Sequence, residues 1–214
     1  MRYIGSVFPL NGTGADGEWS ARHSVQAVAL RTAALINALA DESGSTGRIA
    51  EVLRTHGETD PVELSDRDIA GMRAAALLLR EVFAADHVDA AAACLNRLLP
   101  QSTGPLRLTS HGGRSPWHPH LDSHDDAPWG EWFLASSCLA LTVLVWDRQR
   151  PPGGVCASSG CRNVFLTQGS GPTRRYCSRR CATRERVAAH RRAKNLADLA
   201  ASDVDPAGGR SYRG

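Results

Sequence analysis

Lysine is almost missing from this chain of 214 residues: Lys194 is the only one among 25 Lys+Arg. Arginine carries all other basic charge, and with the abundant alanine this is the residue usage of a GC-rich, bacterial genome. Long apolar runs are missing too. The longest, Phe133–Trp146, is too short to span a hydrocarbon layer about 30 Å thick, so it is expected as a core helix and no membrane partner is expected. Met1–Ser20 has one basic residue and a short apolar patch, Tyr3–Leu10, broken by Gly5 and Pro9. It does not read as a signal peptide. A cytoplasmic protein with reduced thiols is therefore expected, where six cysteines argue for metal before disulfides. The His-Glu-x-x-His, P-loop, Gly-x-Ser-x-Gly and zinc-deaminase patterns are absent. Gly12-Thr13-Gly14 lacks the strand and helix of a dinucleotide loop. No enzyme is expected.

What is present is an uneven charge. The formal net charge is only +3, but residues 148–194 hold twelve Lys+Arg against one acid, Glu185. That segment carries +11 and leaves −8 for the rest. Such asymmetry points to an anionic partner for the basic part, most often nucleic acid.

A mainly α fold is expected ahead of that segment, in a compact, Ala-rich bundle. Residues 5–20 read as a loop. Val25–Ala40 shows a helical stripe, interrupted by Gly44 and Gly47, and Ile49–Leu53 is a short helix. Ser65 can cap a helix reaching about Phe83, and Asp86 one covering Ala90–Leu99, stopped at Pro100. Leu106–Thr109 and Trp117–Leu121, around His111-Gly112-Gly113-Arg114, read as the only β-hairpin. Asp125–Pro128 is a turn, and Trp129–Trp146 the spine of the core. Arg150-Pro151-Pro152-Gly153-Gly154 reads as a linker. The expected division is 1–149 helical, 150–201 zinc finger with basic helix, and 202–214 a disordered tail.

The sharpest signal is Cys156-x4-Cys161, fifteen residues, then Cys177-x3-Cys181. Two close pairs joined by such a loop suit one tetrahedral four-cysteine zinc ion, with disulfides or buried free thiols as the alternatives. Four thiolates close the shell, so the zinc is structural. It would tie down a segment without enough apolar residues for its own core. Cys94 and Cys138 sit in Ala/Leu stretches and read as small core residues.

Around these ligands stand Val164-Phe165-Leu166, Arg174-Arg175-Tyr176-Cys177-Ser178 and Cys181-Ala182-Thr183-Arg184 followed by Val187 and His190-Arg191. This pattern resembles the CGNR zinc-finger family over roughly residues 153–195. The resemblance implies a helical N-terminal ABATE domain before the finger, and a stress-induced transcription regulator whose finger binds DNA. The family tetrad departs here at Ala182 and Thr183, and its aspartate-containing continuation is replaced by Thr167-Gln168.

Ser178 can cap a helix to about Ala200. At about 100° per residue, Arg179, Arg180, Arg184, Arg186, His190, Arg191 and Lys194 share one broad arc. Cys181, Ala182, Ala188, Ala189, Leu196 and Leu199 lie opposite with Glu185 and Arg192, and could pack on the zinc lobe. Arg174 and Arg175 could extend the basic surface. Double-stranded DNA is the expected partner, since arginine pairs bidentately with phosphate and guanine. Without several exposed aromatics, single-strand binding is the weaker case, and Tyr176 is expected to pack. The competing class is an interaction adaptor whose basic helix docks an acidic partner or its own helical domain. A small-molecule effector and a homodimer complete the expected partners.

His118, His120, Asp122, His124, Asp125 and Asp126 cluster locally. In a strand His118, His120 and Asp122 share a face, which admits a second metal site or a ligand pocket. A polar hairpin edge is the favoured reading, and Pro119 supports an edge strand. Of Trp117, Trp129, Trp132 and Trp146, most are expected in the core.

Overall fold

The computed structural model describes residues 24–41, 45–101, 104–113, 117–167 and 174–202. The loop expected at 5–20, with Gly12-Thr13-Gly14, Arg114, Gln168 and the tail beyond 202 lie outside them. Among the described residues the fold is mainly α, as expected. Six helices are joined by two small antiparallel sheets. The helices are α1 (Val25–Leu39), α2 (Thr46–Thr55), α3 (Asp66–Ala84), α4 (Val88–Leu98), α5 (Trp129–Arg148) and α6 (Arg179–Ser202). Strands β1 (Arg107–Thr109) and β2 (His118–His120) form one sheet, β3 (Gly153–Val155) and β4 (Val164–Leu166) the other.

Local chemistry explains the helix starts. Ser24 Oγ accepts from Ala27 N at 3.1 Å. Ser65 Oγ accepts from Asp68 N at 3.2 Å while the Asp68 carboxylate accepts from Ser65 N at 2.9 Å. This reciprocal pair satisfies two donors that the first turn cannot pair within itself. Two expectations shift. Helix α2 begins at Thr46, ahead of the expected Ile49, so Gly47 lies inside it and not in the break before it; Gly44 lies outside the described residues. The cap of α4 is His87, whose Nδ1 accepts from Ala90 N at 3.1 Å, not Asp86. A 3-10 turn, Leu99–Gln101, carries the chain across Pro100.

Helix α5 is the spine, packed against α1, α3 and α4. Phe133, Cys138 and Leu141 on it are fully buried, together with Leu35, Leu79 and Phe83. Each such large side chain contributes about 1.5–3 kcal/mol. Among the described residues α5 is the one helix long and apolar enough to cross a membrane, and half of that stretch is buried inside the protein. Trp129 and Trp132 pack edge to face at its start, with ring centroids 5.2 Å apart. Trp117 and Trp146 are 65% and 74% exposed, so only the first two meet the expectation of core tryptophans.

One further expectation is corrected. The hairpin β1–β2 is not alone, because Gly153 and Gly154, read as the end of a linker, open β3 and pair with β4. A Cβ on Gly153 would stand 1.9 Å from Phe165 O and 2.9 Å from Phe83 Cδ1, so only glycine lets this strand lie between β4 and α3. Strand β2 is an edge of its two-stranded sheet, and Pro119 on it is exposed; His120 and, just beyond the strand, Asp122 are nonetheless buried, 9% and 2% exposed.

Alternation along β4 ties the C-terminal part to the bundle. Val164 and Leu166 join the helical core, while Phe165 faces the other way under the Arg174 guanidinium, 5.2 Å from the ring centroid. Asn37 of α1 clamps the strand: its amide donates to Val164 O at 3.0 Å and accepts from Val164 N at 2.7 Å. Arg148 donates to Thr167 O at 2.9 Å, and Arg80 of α3 to Arg162 O.

Candidate metal centre

The four cysteines arrive from three directions. Cys156 follows β3. Cys161 closes a turn in which its N–H donates to Ser158 O at 3.0 Å. Cys177 and Cys181 flank the start of α6, where Ser178 Oγ accepts from Cys181 N at 3.2 Å, the cap expected of it. Cross-links hold the two halves in register: Cys156 N donates to Asn163 O at 2.8 Å and Ala157 N to Arg175 O at 2.9 Å.

All four sulfurs lie within 4.8 Å of one another. The Cys161–Cys177 and Cys177–Cys181 separations are both 3.7 Å. A tetrahedral zinc with bonds of about 2.3 Å requires sulfurs about 3.8 Å apart, so the spacing fits the ion. A disulfide needs sulfurs about 2.05 Å apart, and all six cysteines are free thiols. Protonation points the same way. Burial and the neighbouring thiols push Cys177 up to about 12, whereas a hydrogen bond from Ser178 and the same thiols lower Cys181 to about 6. Four sulfurs this close cannot all be thiolates unaided, and a dication at their centre lets them be. Cys156, Cys161, Cys177 and Cys181 thus form a zinc-finger site for one structural Zn2+, with no coordination position left open.

Four thiolates around a dication leave two negative charges, and the surroundings disperse them. Arg184 donates from one terminal nitrogen to Cys181 Sγ at 3.3 Å, and its Nε donates to Ser158 Oγ at 3.1 Å. Cys177 N donates to Cys156 Sγ at 3.4 Å. Glu185 completes the frame: its carboxylate accepts from Ser159 N at 2.8 Å and from the Ser158 and Ser159 hydroxyls at 3.0 Å. Those three donors hold its carboxyl below the usual range. Ser158, 3% exposed, is the hub joining the first cysteine loop to α6. Ser158 and Glu185 carry no motif signal; only Glu185 as the lone acid in a basic run sets either apart.

The basic residues separate into two groups. Arg174, though exposed, is tied to nearby backbone, its Nε donating to Tyr176 O at 2.7 Å and a terminal nitrogen to Cys177 O. Arg175 stacks 5.7 Å from the centroid of the Tyr176 ring, which is half-buried. Arg184 serves the metal ligands. Arg179, Arg180, Arg186, His190, Arg191 and Lys194 are exposed on α6. From residue 187 to 199 only Ala188 is even half-buried, so Leu196 and Leu199, 68% and 65% exposed, do not pack on the lobe as expected. Cys138 is a fully buried core thiol, pushed up to about 12 by burial. Cys94 is half-buried and accepts from Arg97 at 3.3 Å.

No curated protein matches the chain. Residues 154–194 match the CGNR zinc finger family, and this stretch is a zinc-finger domain with a four-cysteine metal site.

Proposed function

We propose that the chain is a zinc-dependent, DNA-binding transcriptional regulator of the bacterial cytoplasm, a binding protein and not an enzyme. The helical unit, ABATE-like by resemblance, would sense a small molecule or pair two copies. One observation carries this reading: α6 is a long basic helix planted on the zinc lobe at one end and open to solvent along the rest. Its 24 residues span about 36 Å at 1.5 Å each. On the helical wheel Arg179, Arg186, His190 and Lys194 lie opposite Cys181, with Arg180 and Arg191 on the flank. A helix so presented can enter a major groove and place arginines on phosphates and guanine edges. A single module makes few contacts, so two copies would raise affinity.

The adaptor reading has its own support. Leu196 and Leu199 continue the Cys181–Ala188 side of α6 beyond the lobe and are exposed. That side suits a protein surface, including a second copy.

Fluorescence anisotropy with a genomic-promoter duplex and a scrambled one, across several salt concentrations, tests the proposal. Selective binding that falls steeply with salt and disappears with a zinc chelator is the expected result. No binding to either duplex at low salt overturns it and leaves the adaptor.

A further inference from the structure

The hairpin β1–β2 gathers a second set of metal-ligand atoms about a different centre. His111 lies in the turn at φ +50°, His118 and His120 on β2. Their Nε2 atoms converge: His118 Nε2 is 3.2 Å from that of His111 and 3.0 Å from that of His120. Three imidazoles bound tetrahedrally to one ion at about 2.0–2.1 Å would hold their nitrogens about 3.3 Å apart. The hairpin already sets two of the three pairs within a few tenths of an ångström of that spacing, and all three ligand atoms within 4.8 Å of one another.

The far sides of two of the rings face carboxylates. His120 Nδ1 lies 2.8 and 2.9 Å from the two oxygens of Asp122. His111 Nδ1 lies 3.4 Å from Asp125 Oδ2. A carboxylate only accepts, so an Nδ1 facing one carries a proton, which leaves Nε2 as the inward-facing donor atom for a metal. Both carboxylates are themselves anchored. Arg107 donates to Asp122 at 3.0 Å and to Asp125 at 2.9 Å, and Thr109 Oγ1 donates to Asp125 at 2.7 Å. Carboxylate–histidine pairs of this kind orient metal-bound imidazoles.

A cation among the three would take the Nε2 lone pairs of all three rings at once. The surroundings also suit one: the Asp122 and Asp125 carboxylates stand beside the rings, with Arg107 as their shared partner.

We propose that His111, His118 and His120 hold a divalent transition metal ion of the Zn2+ class through Nε2, with Asp122 and Asp125 as positioning residues. Imidazole donors select Zn2+, Cu2+, Ni2+ or Fe2+ over Mg2+ and Ca2+. Three protein ligands leave a fourth position for water or a small anionic molecule, unlike the closed cysteine site. The site lies on the helical unit and does not depend on the DNA-binding reading.

The test is titration of the metal-depleted full-length chain with Zn2+ and with Co2+. Wild type is expected to bind two equivalents. One Co2+ shows thiolate charge transfer, and the other shows only the weaker bands of a nitrogen and oxygen donor set. His118→Ala and His111→Gln are each expected to bind one equivalent and keep the thiolate band, which reports an intact finger. Asp125→Asn, a milder change at a partly exposed carboxylate, is expected to weaken the second equivalent about 10–100-fold. One equivalent in wild type overturns the proposal. So do two undiminished equivalents in both histidine variants, or, if those variants fail to fold, an unchanged second equivalent in Asp125→Asn.

Discussion

Asn37→Ala should uncouple the zinc lobe from the helical bundle. The Asn37 amide both donates to and accepts from the backbone of Val164, at 3.0 and 2.7 Å. Val164 is 1% exposed, so water cannot easily replace either bond. Each backbone polar group left buried and unpaired costs about 1–3 kcal/mol, and two groups give about 2–6 kcal/mol. That is a large part of the roughly 5–15 kcal/mol that holds a domain folded. Urea unfolding can be followed with two probes. Tryptophan fluorescence reports the bundle through Trp129 and Trp132, and the thiolate band of the Co2+-loaded protein reports the finger. In wild type both probes should trace one transition, because Val164 and Leu166 belong to the helical core. In Asn37→Ala the transitions should separate and the fluorescence midpoint fall. A loss below about 0.5 kcal/mol with coincident probes would refute the clamp, since that is the range of ordinary surface substitutions.

Three other outcomes follow from the same contacts. Cys177→Ser, or chelation, should abolish DNA binding and also lower the melting temperature of the bundle, because the strand that zinc holds in place supplies core residues. Gly71→Ala should be neutral or stabilising by up to about 1 kcal/mol, as its Cβ meets Gly130 Cα at an ordinary 3.6 Å. Gly130→Ala, which sets a Cβ 2.7 Å from the Gly71 carbonyl carbon, should cost about 1–3 kcal/mol, and calorimetry separates the two. Arg191→Ala should weaken DNA binding and lower the salt slope by about 1 with the melting curve unchanged. Arg184→Ala should instead weaken zinc retention in a chelator competition.

The parts of the fold written in local chemistry were legible in the sequence. Ser65 with Asp68 announces a cap, the apolar Phe133–Trp146 run announces the spine, and the cysteine spacing announces the zinc. What was not legible depends on partners far along the chain. Gly153-Gly154 reads as a linker because glycine signals turns, and the need for close approach to Phe165 and Phe83 is visible only once α3 and β4 are in place. Arg184 reads as one more basic residue on an arc until Ser158 and Cys181 claim its guanidinium. His111 reads only as part of a turn, since its spacing from His118 becomes a meeting of rings only through the hairpin register. Asn37 carries no signal of its own.

The acidic balance of the helical unit raises the question of whether α6 folds back on it. Much of that acidity is already answered by the unit's own arginines: Glu58 by Arg31, Asp41 by Arg48, Asp60 by Arg54, Glu81 by Arg97, and Asp122 with Asp125 by Arg107. Among the described residues no ion pair joins Arg179, Arg180, Arg186 or Arg191 to the bundle. The isolated lobe is a poor probe of this question, because cutting it away bares Val164 and Leu166. Charge reversal in the whole chain is cleaner. If α6 docks on the bundle, Arg186→Glu must change stability at low salt, where exposed charges interact most strongly. If the helix stands free, the melting curve stays within about 0.5 kcal/mol of wild type, and the change is felt only when an anionic partner is added. A low-salt loss of stability that salt removes would put the basic helix against its own protein and make DNA binding conditional on its release.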